Sequence, residues 1–311
     1  MRLALLALTL GLALAPPAFA RERKAKPRPV PTADQTAAAA NAASGAAMRN
    51  LDAIARLDDA PGGPQLNAVI VFNPAAAQEA ARLSATGRLK GRTVLVKDNV
   101  ETREWPTTAG SLALKENRTG RDAPLVARIR AEGGVVLGKT NLSEWANIRS
   151  SASSSGWSGT GGQTRNPHAI DRNPCGSSSG SGAAVAAGMA WAAVGTETDG
   201  SITCPASANG IVGFKPTVGL VSRTWIVPIS HSQDTAGPMA TSVADAALLL
   251  AAIAGSDPAD PATAEADRRK TDYTAGLDLS SLKGVRIGVL QKQSGQHPGV
   301  NRVFDRALAD L

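Results

Sequence analysis

Two serines and one lysine have the side-chain types and the sequence setting for nucleophilic chemistry. Ser177 and Ser201 lie in Ser- and Gly-rich turns at the two ends of an alanine-rich apolar segment. Turns of this kind bring hydroxyls and backbone N–H groups to loop positions where both can face one substrate. Lys97 closes the apolar run 94–96, where loss of water would disfavour its charged form and leave an amine that can accept a proton. Two serines and a lysine, with no histidine in the same motifs, suggest an amide hydrolase with a serine nucleophile.

The motifs around these three residues resemble the amidase signature family, and the resemblance runs from about residue 66 to residue 311. Residues 195–201 read G-T-E-T-D-G-S, similar to the family motif G-T-(D/E)-x-G-G-S, whose nucleophilic serine falls on Ser201. The serine pair of a second family motif, G-G-S-S-G-G, begins at Ser177, and the family lysine falls on Lys97 in V-L-V-K-D-N. The resemblance implies a Ser-Ser-Lys triad in which Ser177 follows a cis peptide bond and relays the proton between Lys97 and Ser201.

The turn before Ser201 is also suited to stabilise the oxyanion of a tetrahedral intermediate. Gly200 allows the backbone to approach a substrate closely, so the N–H groups of Thr198, Asp199, Gly200 and Ser201 are the predicted donors. Each fixed donor is worth on the order of 3 kcal/mol of transition-state stabilisation. Family members more often have glycine where this chain has Asp199, whose side chain would narrow the cleft while its backbone donor remains.

Within the family, the chain is similar to bacterial peptide amidases in G-Q-T-R-N-P, residues 162–167, and in H-S-Q-D-T-A-G-P-M, residues 231–239. This similarity implies a small-molecule or peptide amide as substrate, with C-terminal peptide carboxamides converted to the free acid and ammonia. Such chemistry needs no cofactor. Because no Cys, His and carboxylate residues have metal-ligand spacing, no metal site is predicted either.

Three other functional interpretations remain open on the sequence. Residues 133–140 spell G-G-V-V-L-G-K-T, the phosphate-loop pattern of NTPases, although a helix and not a strand is predicted before it. Residues 176–180 match G-x-S-x-G, which would make Ser178 the nucleophile of an esterase with Asp234 and His297. Members of the family usually continue into a long C-terminal portion that completes the sheet, so the third interpretation is an inactive or degenerate truncated amidase-like protein.

The N-terminal residues have the layout of an export signal. Arg2, an apolar stretch at 3–15 and A-F-A at 18–20 predict a cleaved signal peptide, residues 1–20, and hence a periplasmic or secreted protein. The apolar stretch is shorter than the ~20 residues that span a bilayer, so no stable membrane insertion is expected. A basic, Pro-containing linker follows at residues 21–31 and carries most of the formal charge of +7. Because most of the charge lies in this linker, and because only 5 Trp, 1 Tyr and 4 Phe are available to stack on bases, nucleic-acid binding is not expected.

Residues 32–311 are predicted to form one catalytic domain of the amidase-signature type with its C-terminal part missing. Apolar periodicity and turn residues predict an α/β fold in which a mixed sheet is flanked by helices. Predicted helices cover residues 32–57, 75–83, 110–117, 122–131, 243–254 and 302–311, and predicted strands cover 67–72, 93–97, 135–137 and 284–290. Residues 150–181 are expected to be an ordered active-site loop, and residues 257–273 a polar loop.

The two cysteines flank the proposed chemistry, since Cys175 precedes Ser177 by two positions and Cys204 follows Ser201 by three. In an oxidising compartment they could form a disulfide. As two small buried thiols they could equally fill space. The sequence leaves both interpretations open.

Overall fold

The computed structural model describes residues 32–278, 282–293 and 295–311. The signal peptide and the basic linker predicted for residues 1–31 therefore lie outside the described residues. The described part is a mixed α/β structure with a central sheet flanked by helices, which confirms the predicted fold class. Within these ranges no helix combines the length and the hydropathy needed to cross a bilayer.

The helices and strands alternate over most of the chain. The helices are α1 (Ala33–Ile54), α2 (Ala76–Leu83), α3 (Pro124–Ala131), α4 (Ser179–Ala186), α5 (Thr203–Ala208), α6 (Val243–Ile253), α7 (Ala266–Arg269) and α8 (Pro298–Asp310). The strands are β1 (Val69–Phe72), β2 (Thr93–Lys97), β3 (Val135–Thr140), β4 (Trp157–Ser158), β5 (Gly162–Gln163), β6 (Ala192–Glu197), β7 (Val212–Gly213) and β8 (Thr235–Ala240). Strands β4 and β5 form a separate small hairpin.

The main sheet has the strand order β1-β3-β2-β6-β8-β7. Its central strands β3, β2 and β6 run parallel, and antiparallel pairings join β1 to β3, β8 to β6 and β7 to β8. Every residue of the three parallel strands is buried, as expected for a sheet covered on both faces. Because parallel strands end at the same edge, their last residues Lys97, Thr140 and Glu197 lie along one edge of the sheet.

Helices cover both faces of this sheet. One apolar cluster joins α3 and α6 to the sheet and contains Leu249 and Val96. A second cluster joins α1, α2 and α4 to the other face and contains Ala183 and Leu95. Since side chains alternate between faces along a strand, Lys97 lies on the same face as Leu95, the face that α4 covers.

Local capping signals explain where the principal helices begin. The Thr32 side chain accepts a hydrogen bond from the Gln35 N–H, and the Gln35 side chain accepts one from the Thr32 N–H, a capping box at the start of α1. Pro124 occupies the first turn of α3, where a missing N–H costs nothing. The Ser242 hydroxyl accepts from the Asp245 N–H and starts α6.

The strand predicted at residues 284–290 is wrong. Residues 285–290 have no regular secondary structure, and their side chains are exposed. Val285, Ile287 and Val289 alternate as in a strand, but no strand of the described sheet pairs with them. An unpaired strand leaves its N–H and C=O groups without partners, so alternation alone does not produce one.

Three other predictions need smaller corrections. The helix predicted at 110–117 is only the 3-10 turn Leu112–Leu114. The polar loop predicted at 257–273 contains the 3-10 turn Pro261–Thr263 and the short helix α7. Strand β3 runs three residues further than predicted, because Gly138, Lys139 and Thr140 continue its pairing with β2.

Candidate active site

Lys97, the last residue of β2, is fully buried, and its amine lies among oxygen atoms of Ser177 and Thr196. The Nζ atom is 2.7 Å from Ser177 Oγ, 2.8 Å from Thr196 Oγ1 and 3.3 Å from the Thr196 carbonyl oxygen. Burial lowers the pKa of Lys97 to about 7, and the Glu197 and Asp234 carboxylates oppose this shift only in part. A large neutral fraction near pH 7 makes this amine available as a proton acceptor.

Ser177 is positioned by the loop that leads into α4. The Gly176–Ser177 peptide bond is cis, in agreement with the family resemblance. A Cβ at Gly176 would lie 2.3 Å from Ser143 Oγ, so only glycine fits there without rearrangement. The Ser177 carbonyl accepts a hydrogen bond from the Ser143 N–H at 3.1 Å, and the Ser177 side chain is fully buried. This packing holds the Ser177 hydroxyl against the amine of Lys97.

Ser201 lies in the turn between β6 and α5 and is partly exposed. Its carbonyl accepts a hydrogen bond from the Ser178 N–H at 3.1 Å, which joins this turn to the loop before α4. The Glu197 carboxylate holds the turn from the other side by accepting from the N–H groups of Ile202 at 2.7 Å and Thr203 at 2.9 Å. The predicted nucleophile is therefore carried by a turn that is fixed both to β6 and to the loop of the predicted relay serine.

The predicted oxyanion donors lie on this turn. Gly200 has a φ of +82°, a left-handed conformation that favours glycine. Among the described residues, no acceptor atom receives a hydrogen bond from the N–H groups of residues 199–201. Thr198 is held in place because its hydroxyl donates to Asp234 Oδ1 at 2.5 Å. The Asp199 side chain is exposed.

A disulfide joins Cys175 to Cys204, with their Cα atoms 5.9 Å apart. It decides between the two interpretations of the cysteines. Cys175 immediately precedes the Gly176–Ser177 peptide bond, and Cys204 is the second residue of α5. The disulfide therefore ties the loop that carries Ser177 to the helix that follows Ser201.

A cavity of about 320 Å³ opens beside this edge of the sheet. Thr196 and Thr198 line it on the side of the serine turn, and the apolar segment 226–229 lines another side. The Arg223 guanidinium also lines it, but the Asp260 carboxylate at 2.6 Å neutralises that charge. The Glu197 and Asp234 carboxylates line the cavity as well, so it combines an apolar wall with acidic groups. Nowhere in the described ranges do three or more His, Cys, Asp or Glu side chains come together as a metal site.

The phosphate-loop and esterase interpretations are wrong. Residues 135–140 form β3, so G-K-T lies in a strand and not in a loop between a strand and a helix. Lys139 instead forms a buried ion pair with Asp98 at 2.8 Å. Ser178 is fully buried, and its hydroxyl donates to the Thr196 carbonyl oxygen at 3.1 Å. His297, the proposed base, caps the N-terminus of α8, where its side chain accepts from the N–H groups of Gly299 and Val300.

The residues that hold the predicted catalytic side chains were not assigned this role from the sequence. Thr196 contacts Lys97, and Glu197 fixes the serine turn. Both belong to the motif G-T-E-T-D-G-S, so their place in it was a signal that could have identified them. Asp234, which holds Thr198, is 36 positions away, and nothing in its local sequence links it to the turn.

The buried lysine, the serine hydroxyl that contacts it and a second serine on the adjoining turn thus lie at one edge of the α/β sheet. In a comparison with known proteins, the family model described as Amidase matches residues 53–311. The chain therefore belongs to the amidase family, which confirms the resemblance seen in its motifs.

The chain is similar to peptide amidases of known structure and to curated amidases. Native peptide amidase from Stenotrophomonas maltophilia is 54% identical with a TM-score of 0.79, and the match covers 86% of this chain and 56% of that one. A peptide amidase in complex with the competitive inhibitor chymostatin is 55% identical with a TM-score of 0.81 over the same shares. A probable amidase from Arabidopsis thaliana is 45% identical over 256 residues, 78% of this chain and 49% of the relative. The chain spans about half the length of the curated relatives it matches.

Proposed function

We propose that the chain is an amide hydrolase in which Ser201 is the nucleophile, Ser177 the proton relay and Lys97 the base. The observation that carries this proposal is the 2.7 Å contact between the buried Lys97 amine and the Ser177 hydroxyl. Burial keeps the pKa of that amine near 7, so it can take up a proton at neutral pH. The turn that carries Ser201 is bonded to the adjoining residue Ser178, which brings the two serine loops together.

The reaction follows from the chemistry of these groups. The Ser201 oxygen attacks the carbonyl carbon of the amide, while its proton passes through the Ser177 hydroxyl to the lone pair of neutral Lys97. The N–H groups of residues 198–201 stabilise the oxyanion that forms from the carbonyl oxygen. Collapse of this intermediate expels the amine, which receives the proton from Lys97 through Ser177. Water then attacks the acyl-enzyme by the same steps, releasing the acid and restoring Ser201.

The proposed substrates are C-terminal peptide carboxamides, which would give the free acid and ammonia. Two observations support this choice. The peptide amidases are 54% and 55% identical to this chain over most of its length. The neighbouring cavity has an apolar wall at residues 226–229, which can contact an apolar side chain of a peptide substrate. The mechanism uses no cofactor and no metal.

Replacing the predicted nucleophile tests this function. Ser201→Ala is expected to lower ammonia release from a C-terminal peptide amide by up to about 10⁶-fold, because the attacking oxygen is gone. Labelling by a fluorophosphonate should vanish as well, while Ser207→Ala, on the exposed part of α5, should keep both. An active Ser201→Ala together with an inactive Ser178→Ala would assign the nucleophile to Ser178. A wild-type chain that is never labelled would support the inactive, degenerate alternative.

We also propose that the protein is exported and acts in the periplasm or outside the cell. The signal-like residues 1–20 and the disulfide both fit this location, because disulfides persist in oxidising compartments. Expressed in a bacterium, the chain is expected in the periplasmic or extracellular fraction with Arg21 as its first residue. N-terminal sequencing of an intact, cytoplasmic chain that starts at Met1 would contradict export.

A further inference from the structure

The amine of Lys97 has three oxygen neighbours, and two of them belong to one residue, Thr196. A neutral amine carries two N–H bonds and one lone pair. To accept the proton from Ser177, Lys97 must direct the lone pair at the Ser177 hydroxyl and place both N–H bonds elsewhere. The Thr196 carbonyl oxygen at 3.3 Å can only accept a hydrogen bond, and the Thr196 hydroxyl at 2.8 Å can accept the second.

Thr196 is itself held in place by two neighbours. The Asn99 side-chain amide donates to Thr196 Oγ1 at 2.9 Å. The Ser178 hydroxyl donates to the Thr196 carbonyl oxygen at 3.1 Å and accepts from the Thr196 N–H at 3.2 Å. All three residues are buried, and Asn99 and Thr196 also line the cavity. These contacts also give Ser178 a structural purpose, since it fixes the main chain of Thr196.

We propose that Thr196 is a positioning residue that takes both N–H bonds of neutral Lys97 and thereby leaves the lone pair of the amine facing Ser177. This inference rests on the proposed function, because it concerns the base of that reaction. In this account Thr196 contributes no reacting atom and acts on the reaction through Lys97. Its hydroxyl has a second effect, because an acceptor near the amine also stabilises the charged form of lysine.

The matched pair Thr196→Val and Thr196→Ser tests the proposal, because valine keeps the branched shape and serine keeps the hydroxyl. The rate of Ser201 labelling by a fluorophosphonate is measured against pH in the full chain. Thr196→Val is expected to lower the high-pH plateau at least tenfold, of the order that general-base catalysis supplies. Its midpoint should also move to lower pH, because the protonated amine loses an acceptor. Thr196→Ser should restore both the plateau and the midpoint.

A purely structural role would lower the plateau of Thr196→Val without moving its midpoint, and that result would overturn the proposal. A Thr196→Val profile identical to that of the wild type would overturn it too. If Ser201 is labelled at no pH in any variant, the proposed function fails. The inference is then decided by the ¹³C resonance of the Lys97 Cε atom. A lower titration midpoint in Thr196→Val than in Thr196→Ser supports it, and equal midpoints reject it.

Discussion

Two fully buried lysines lie on neighbouring parallel strands, and their surroundings differ in one respect. Lys97 ends β2, and Lys139 lies next to Val96 in the register of β3. Lys139 Nζ is 2.8 Å from the Asp98 carboxylate, whereas the polar contacts of Lys97 within the described residues are with Ser177 and Thr196. Asp98 is the first residue after β2, and its carboxylate contacts Lys139.

This difference shows how one fold obtains two functions from the same side chain. Burial lowers the pKa of both lysines, because it disfavours the charged form. At Lys139 a carboxylate in direct contact compensates, and the residue links β3 to the segment after β2 as a charged pair. At Lys97 the Glu197 and Asp234 carboxylates, which do not contact the amine, compensate only in part, so the pKa falls to about 7. The contacting carboxylate therefore distinguishes Lys139 from Lys97, which we propose is the base.

The same substitution at both lysines should break activity at only one of them. Lys97→Arg places a permanent cation at the base position, and ammonia release should fall by about 10²–10⁴-fold, the range that general-base catalysis supplies. Lys139→Arg keeps the charge that Asp98 needs, so Ser201 labelling should retain its pH midpoint. Activity assays with far-ultraviolet circular dichroism as the folding check measure this contrast. Retained turnover in Lys97→Arg would remove lysine from the mechanism.

Removing the positive charge of Lys139 should lower the stability of the protein. Lys139→Met leaves the Asp98 carboxylate buried and unpaired, so urea unfolding should show a loss of about 3–5 kcal/mol. The double variant Lys139→Met/Asp98→Asn should recover part of that loss, because it removes the uncompensated charge. An unchanged free energy of unfolding in Lys139→Met would contradict a structural role for the pair.

Lys97→Met should have the opposite effect on stability in the same urea unfolding experiment. The pKa of Lys97 is about 7 in the folded chain against 10.5 as the ordinary value, so the folded state binds this proton more weakly. The lowered pKa therefore reduces the free energy of unfolding. This reduction has its full size below pH 7 and disappears as the pH rises from about 7 to 10.5. Lys97→Met should therefore raise the free energy of unfolding below pH 7, and this gain should shrink toward pH 10.

The sequence was informative where chemistry is local and failed where it depends on distant neighbours. Motifs correctly placed Lys97 at the end of a buried strand and put Ser177 and Ser201 on loops that the structure joins. The Asp98–Lys139 pair was missed because it links positions 41 residues apart on two strands, and G-K-T instead matched a phosphate loop. The strand at 284–290 was predicted from alternation, which specifies a face but not a partner strand. The cysteine pairing also needed a distance that no spacing gives.

Direct titration of the Lys97 amine tests the central claim that a lysine buried without a contacting carboxylate is the base. The chain is labelled with ¹³C at the lysine Cε atoms, and the Lys97 resonance is assigned by its loss in Lys97→Met. The resonance is expected to titrate with a midpoint near pH 7, as burial among neutral oxygens dictates. A midpoint near the ordinary lysine value of 10.5 would show a permanently charged amine at neutral pH and would contradict the account.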